Sequence, residues 1–68
     1  MNKIHNTAII GKNTVIGSNV EIGPYCVVDE GVRIGNDNIL QSSVYMTGET
    51  DIGEGNTFFP FCSIGSKP

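Results

Sequence analysis

Apolar side chains return at every sixth position of this chain. Counting outward from Ile16 in both directions, the series runs Ile4, Ile10, Ile16, Ile22, Val28, Ile34, Leu40, Met46, Ile52, Phe58 and Ile64. All eleven positions hold an aliphatic residue, Met or Phe, without a gap or a slip. At an apolar content of 38%, an unbroken run of that length by chance is on the order of one in tens of thousands. A helix repeats at about 3.6 residues and a strand at about 2, so neither alone explains the period. A fixed beat along the whole chain marks a repeat architecture, and a hexapeptide beat predicts a parallel β-helix.

The geometry accounts for the number. If each side of a triangular coil uses six residues and points one side chain at the axis, three sides make a coil of about 18 residues. Stacking then places Ile4, Ile22, Leu40 and Phe58 in one ladder, Ile10, Val28, Met46 and Ile64 in a second, and Ile16, Ile34 and Ile52 in a third. Each step is the spacing of paired strands, about 4.8 Å, and the β-branched bias suits a pleated, packed surface. The expected fold is therefore all-β, a parallel β-helix of somewhat under four triangular coils with no helix. Residues 1–68 are expected to form a single, partial β-helix domain.

The remaining columns fit the same frame. Gly follows the inward residue at six of eleven sites: Gly11, Gly17, Gly23, Gly35, Gly53 and Gly65. Three places after each inward residue come Thr7, Asn13, Asn19, Tyr25, Gly31, Asp37, Ser43, Glu49, Gly55, Phe61 and Lys67. The enrichment of Asn, Asp and Gly there marks a corner that calls for positive φ. Four places after, mostly small or β-branched residues recur: Ala8, Thr14, Val20, Cys26, Val32, Val44, Thr50 and Cys62, with Asn38 and Asn56. That column is expected to pack a second, tighter inner layer. Cys26 and Cys62 fall two coils apart in it, about 9–10 Å, beyond the roughly 7 Å Cα separation a disulfide tolerates. Both are expected to be reduced, which fits the cytoplasm.

Composition narrows the function classes. Seven acidic against four basic residues, net charge −3, argue against nucleic acid, since phosphate binding needs clustered Lys and Arg. No apolar run approaches the length of a membrane span, and "MNKIHNTAII" lacks the apolar block of an export signal. The expected location is the cytoplasm.

Candidate chemistry is sparse. His5 is the single histidine. Its ordinary pKa would suit a general base, but it reads as a strand residue beside inward Ile4. A zinc centre of three imidazoles is excluded by that count. Asp29, Glu30, Asp37, Glu49, Asp51 and Glu54 fall mostly in outward or corner columns and read as solvated surface. "DEG" and "GEGN" are corner segments, not phosphate loops, because no Lys-Ser/Thr follows and no helix begins there. No catalytic, cofactor-binding or metal-binding residue is assigned, and no cofactor is expected. A repeat within the repeat is more informative: Pro24-Tyr25-Cys26 returns two coils later as Pro60-Phe61-Cys62. Tyr25 and Phe61 then share one outward corner with Phe59, and aromatics gathered on an edge mark a contact surface.

The tandem [Ile/Val/Leu]-Gly-x-x-[small]-x hexapeptides resemble the left-handed β-helix acyltransferases. More narrowly, "IHNTAIIGKNTVIGSNVEIGPYCVV" and "NTFFPFCSIGSKP" are similar to the amino-terminal coils of the UDP-N-acetylglucosamine O-acyltransferases that open lipid A synthesis. The resemblance covers all 68 residues but only about the first quarter of a family member. It implies a left-handed coil, an exception to the right-handed crossover rule. It also implies a homotrimer, with Tyr25, Phe59 and Phe61 as interface residues. The implied reaction moves a 3-hydroxyacyl chain from acyl carrier protein to the sugar 3-hydroxyl of UDP-N-acetylglucosamine. In the family the general base is a histidine on a later coil, and the substrate sites lie mostly beyond the position of Pro68. The chain as given is therefore expected to be catalytically incomplete.

Two other readings remain open from the residues themselves: a fragment of a different hexapeptide acyl- or acetyltransferase, and a non-catalytic β-helical interaction module. An ice-binding solenoid is disfavoured because Thr14, Thr50 and Thr57 form no regular Thr-x-Thr rank. The last coil, with open strand edges and uncovered Phe58 and Ile64, is expected to make the isolated chain unstable or prone to associate.

Overall fold

In the computed structural model, residues 2–65 of the 68-residue chain are described. Their strands are β1 Lys3–Ile4, β2 Ile9–Ile10, β3 Val15–Ile16, β4 Glu21–Ile22, β5 Val27–Val28, β6 Val32–Ile34, β7 Ile39–Leu40, β8 Tyr45–Met46, β9 Thr50–Ile52, β10 Thr57–Phe58 and β11 Ser63–Ile64. Every third strand stacks on its predecessor, so three parallel sheets form the sides of a prism. Sheet A is ordered β1-β4-β7-β10, sheet B β11-β8-β5-β2 and sheet C β3-β6-β9. No helix occurs among the described residues, and none is long and apolar enough to cross a membrane.

The register is the one the six-residue period predicts. Ile4 pairs with Ile22, Ile22 with Leu40 and Leu40 with Phe58 on sheet A. Ile10, Val28, Met46 and Ile64 follow one another on sheet B, and Ile16, Ile34 and Ile52 on sheet C. Strands of two or three residues are the most such a coil permits, because the chain must turn a corner before the next inward residue. The backbone bonds between coils repeat with the same period. The N–H after each inward residue donates to the carbonyl of the inward residue one coil on: His5 to Ile22, Gly11 to Val28, Gly17 to Ile34, Gly23 to Leu40, Asp29 to Met46, Gly35 to Ile52, Gln41 to Phe58 and Thr47 to Ile64, at 2.7 to 3.0 Å.

The core is the inward series plus the second layer. Ile22, Val28, Ile34, Leu40 and Met46 are buried, and so are Val20, Cys26, Val32, Val44 and Asn38. Burial fades towards both ends: Ile4 is 45% exposed, and Ile10, Ile16, Ile52, Phe58 and Ile64 are half-buried. Cys26 and Cys62 are both free thiols, as their two-coil separation requires. The Cys26 thiol instead donates to the Gln41 carbonyl at 3.1 Å.

The corners follow the predicted column with one shift. Asn19, Tyr25, Gly31, Asp37, Ser43, Gly55 and Phe61 all have positive φ. At the corner following Met46, Gly48 takes the left-handed conformation at φ 79 and Glu49 does not. The neighbouring glycine adopts αL without the Cβ clash a glutamate would meet. Thr7 and Asn13 are also outside the positive-φ set; a β-branched residue such as Thr7 is a poor occupant of αL, whereas Asn13 shows that a residue suited to αL does not by itself impose it. Lys67, assigned to the same column from sequence, lies outside the described residues.

Candidate functional site

The corner joining sheets A and B carries the residues singled out from sequence. Gly23-Pro24-Tyr25-Cys26 and Phe59-Pro60-Phe61-Cys62 each put proline at the second position of a turn and an aromatic at the third, as proline's fixed φ favours. Tyr25 has φ 60 and Phe61 φ 65, a conformation costing a bulky L-residue about 1–2 kcal/mol. Their rings do not enter the core: Tyr25 is 70%, Phe61 85% and Phe59 63% exposed. The structure thus brings the three aromatics to one edge.

The strip beside that edge was missed. Along the outer face of sheet B, Ile9, Val27, Tyr45 and Ser63 stand one above another. Ile9 is 64% and Tyr45 42% exposed, Val27 is half-buried, and none carries a charge. The other two faces differ. Sheet A presents Lys3 and Glu21 in register, and sheet C presents an Arg33–Asp51 ion pair. Arg33 holds the Asp51 carboxyl below the usual carboxylate range, first by its hydrogen bond and then by its charge. The signal for the sheet B strip was in the sequence: the residues before the four inward ones in that ladder are Ile9, Val27, Tyr45 and Ser63. A search for catalytic chemistry passes over such positions.

His5 sits near the same corner, where its Nδ1 lies 2.8 Å from the Thr7 hydroxyl and accepts from the Thr7 N–H at 3.2 Å. Thr7 Oγ1 also accepts from the Tyr25 N–H at 2.9 Å. These bonds tie the first coil to the second at the turn and give His5 a structural task. An open groove of about 570 Å³ runs over the outer face of sheet A, lined in part by Asn2, Lys3, His5, Glu21 and Ile39. No carboxylate partners His5 in it. Asp29 accepts from the Tyr45 hydroxyl at 3.3 Å, Asp37 from Asn19 at 2.9 Å and Glu54 from Asn36 at 3.3 Å, so these acids brace neighbouring coils. Among the described residues no group of three or more His, Cys, Asp or Glu could hold a metal ion.

Prismatic coils of six-residue sides, a ladder of aliphatic residues and glycine at the turns are what a known sequence family encodes. The profile described as "Bacterial transferase hexapeptide (six repeats)" matches residues 3–36 and 13–48. The chain belongs to the bacterial hexapeptide transferase family. Its left-handed sense, expected from the resemblance, agrees with that membership. Curated relatives are alike along nearly the whole chain. It is 45% identical over 65 residues to the acyl-(acyl-carrier-protein)–UDP-N-acetylglucosamine O-acyltransferase of Rickettsia peacockii (strain Rustic), covering 96% of this chain and 25% of that one. The enzyme of the same name from Thermodesulfovibrio yellowstonii is 46% identical over 68 residues, 100% of this chain and 26% of its own. That of Rickettsia canadensis is 47% identical over 66 residues, 96% of this chain and 25% of its own. This chain spans about a quarter of the length of the curated relatives it matches.

Proposed function

We propose that residues 1–68 form one structural unit equivalent to the amino-terminal coils of a UDP-N-acetylglucosamine O-acyltransferase. In that reading the whole enzyme moves a 3-hydroxyacyl chain from acyl carrier protein to the sugar 3-hydroxyl, the opening step of lipid A synthesis, in the cytoplasm. The observation that carries it is identity of 43–47% to enzymes of that name over almost the entire chain. The role of these coils is scaffolding. They supply a rigid prism and an aromatic edge, and the acid–base chemistry lies elsewhere, since His5 is committed to Thr7 and has no carboxylate partner.

The same reading takes the assembly to be a homotrimer in which Tyr25, Phe59 and Phe61, together with the Ile9–Val27–Tyr45 strip, meet a neighbouring copy. Two exposed aromatics in a costly backbone conformation, beside an uncharged strip, support that contact.

A chimera tests the function. Residues 1–68 replace the matching first quarter of the Thermodesulfovibrio yellowstonii relative, and transfer from 3-hydroxyacyl carrier protein to UDP-N-acetylglucosamine is measured. The chimera is expected to transfer within about ten-fold of the parent, and the 68-residue chain alone to show no turnover. A chimera that is folded and trimeric yet inactive overturns the proposal.

A further inference from the structure

The turn that presents Tyr25 is held differently from its counterparts. At Asp37, Ser43 and Gly55 the left-handed corner residue donates its N–H to a backbone carbonyl of the coil before, that of Ser18, Pro24 or Asn36, at 2.9 to 3.1 Å. Tyr25 also has positive φ, but its N–H donates to a side chain, the Thr7 hydroxyl, at 2.9 Å. That hydroxyl lies 2.8 Å from His5 Nδ1, and the Thr7 N–H donates to the same Nδ1 at 3.2 Å. A titratable ring therefore stands behind the turn that carries Tyr25.

These bonds assign the tautomer. Nδ1 accepts from the Thr7 N–H, so it carries no proton, and the neutral ring bears its hydrogen on Nε2. Thr7 Oγ1 accepts from the Tyr25 N–H, so its own hydrogen is free to point at Nδ1. With the imidazole neutral, each of these donors has an acceptor. An imidazolium has two donors and no acceptor. Its Nδ1–H opposes the Thr7 N–H, and no rotation of the hydroxyl gives that N–H a partner. The ring must then swing away, and the hydroxyl that receives Tyr25 loses its anchor. His5 is exposed, so protons reach the ring freely. The charged groups beside it are Lys3 on β1 and Glu21 on β4, which line the sheet A groove with it. Neither forms an ion pair with it among the described residues.

We propose that His5 is a pH-operated latch on the Tyr25 turn. Neutral, it fixes Thr7 under the Tyr25 N–H; protonated, it lets go and frees the aromatic at that corner to move. The sign follows from the tautomer. The bonds need the neutral ring, so they are present at high pH and lost as pH falls through the histidine range of about 5 to 8. Where the aromatic edge meets a neighbouring copy, as in the trimer proposed above, acid weakens the contact. That consequence rests on the trimer reading; the latch itself does not.

Amide NMR of the 68-residue chain between about pH 8 and 5.5 tests this. The Thr7 and Tyr25 amide signals are expected to move with the His5 ring signals along one titration curve. The Gly55 amide, bonded to a backbone carbonyl, is expected to move about five-fold less or not at all. His5→Asn keeps an acceptor near the Nδ1 position that does not titrate, and is expected to hold the Tyr25 signal at its high-pH position throughout. His5→Ala removes the acceptor and is expected to hold it at the low-pH position. A Tyr25 amide indifferent to pH overturns the proposal, as does an equal movement in His5→Asn. Should the isolated chain not fold, deuterium exchange of the chimera described above decides, compared at one acid pH. The segment containing Tyr25 is expected to exchange at least about three-fold faster with His5 present than in the His5→Asn variant, and equal rates reject the latch.

Discussion

Asn38 is the one fully buried polar side chain of the described core, and it makes three hydrogen bonds. Its Nδ2 donates to the Gly35 and Gly53 carbonyls at 2.9 and 2.6 Å, and its Oδ1 accepts from the Asn56 N–H at 2.8 Å. A buried amide is tolerated when it is satisfied and costly when its partners are orphaned. Asn38→Ala removes one side chain but strands two carbonyls and an N–H at a corner shared by two coils. A loss of about 2–4 kcal/mol is expected, read as a lowered midpoint in urea or thermal unfolding. Sequence placed Asn38 in the inner corner column. It did not show the bonds, because the partners lie 3, 15 and 18 positions away and only the stacked coils bring them within reach. His5 is the converse case. Its type invited a catalytic reading, and the structure places its ring against Thr7 at the turn.

At the scale of the element, strands of two or three residues have little stability of their own, and each is held by the rungs above and below. Burial along a ladder should then grade stability. Met46, fully buried in the third coil, has Val28 and Ile64 as its neighbours in the ladder. Ile64, in the last described strand of the same ladder, is half-buried and has a strand neighbour on one side only among the described residues. Met46→Ala is expected to cost about 2–5 kcal/mol and Ile64→Ala less than half as much, as measured by equilibrium unfolding. Equal losses would mean that the end coil is covered in solution. The ladders themselves were legible in full, because one apolar residue per side is the whole requirement for facing the axis. The corners were legible less completely. A glycine next to the expected position captured the left-handed conformation at Gly48, a contest between adjacent residues that a column average hides.

For the molecule as a whole, the three faces of the prism carry different chemistry. The sheet A and sheet C faces bear charge, and the sheet B face is uncharged beside an aromatic edge. Phe61→Ser, at a site 85% exposed, is expected to convert a side-by-side trimer to monomer in sedimentation, because it removes an exposed ring from the edge without emptying the core. An unchanged mass would remove the aromatic edge from the interface.

The sequence by itself determined the repeat, the three ladders, the second inner layer and the family. All of these follow from which side chain faces the axis, a property with a fixed period along the chain. Only the tertiary structure decided that Ile9, Val27 and Tyr45 form one uncharged strip and that the Asn2 and Asn38 side chains bind the following coil. Those features depend on which residues a whole coil apart come to lie together, and that is not written in the order of apolar and polar positions.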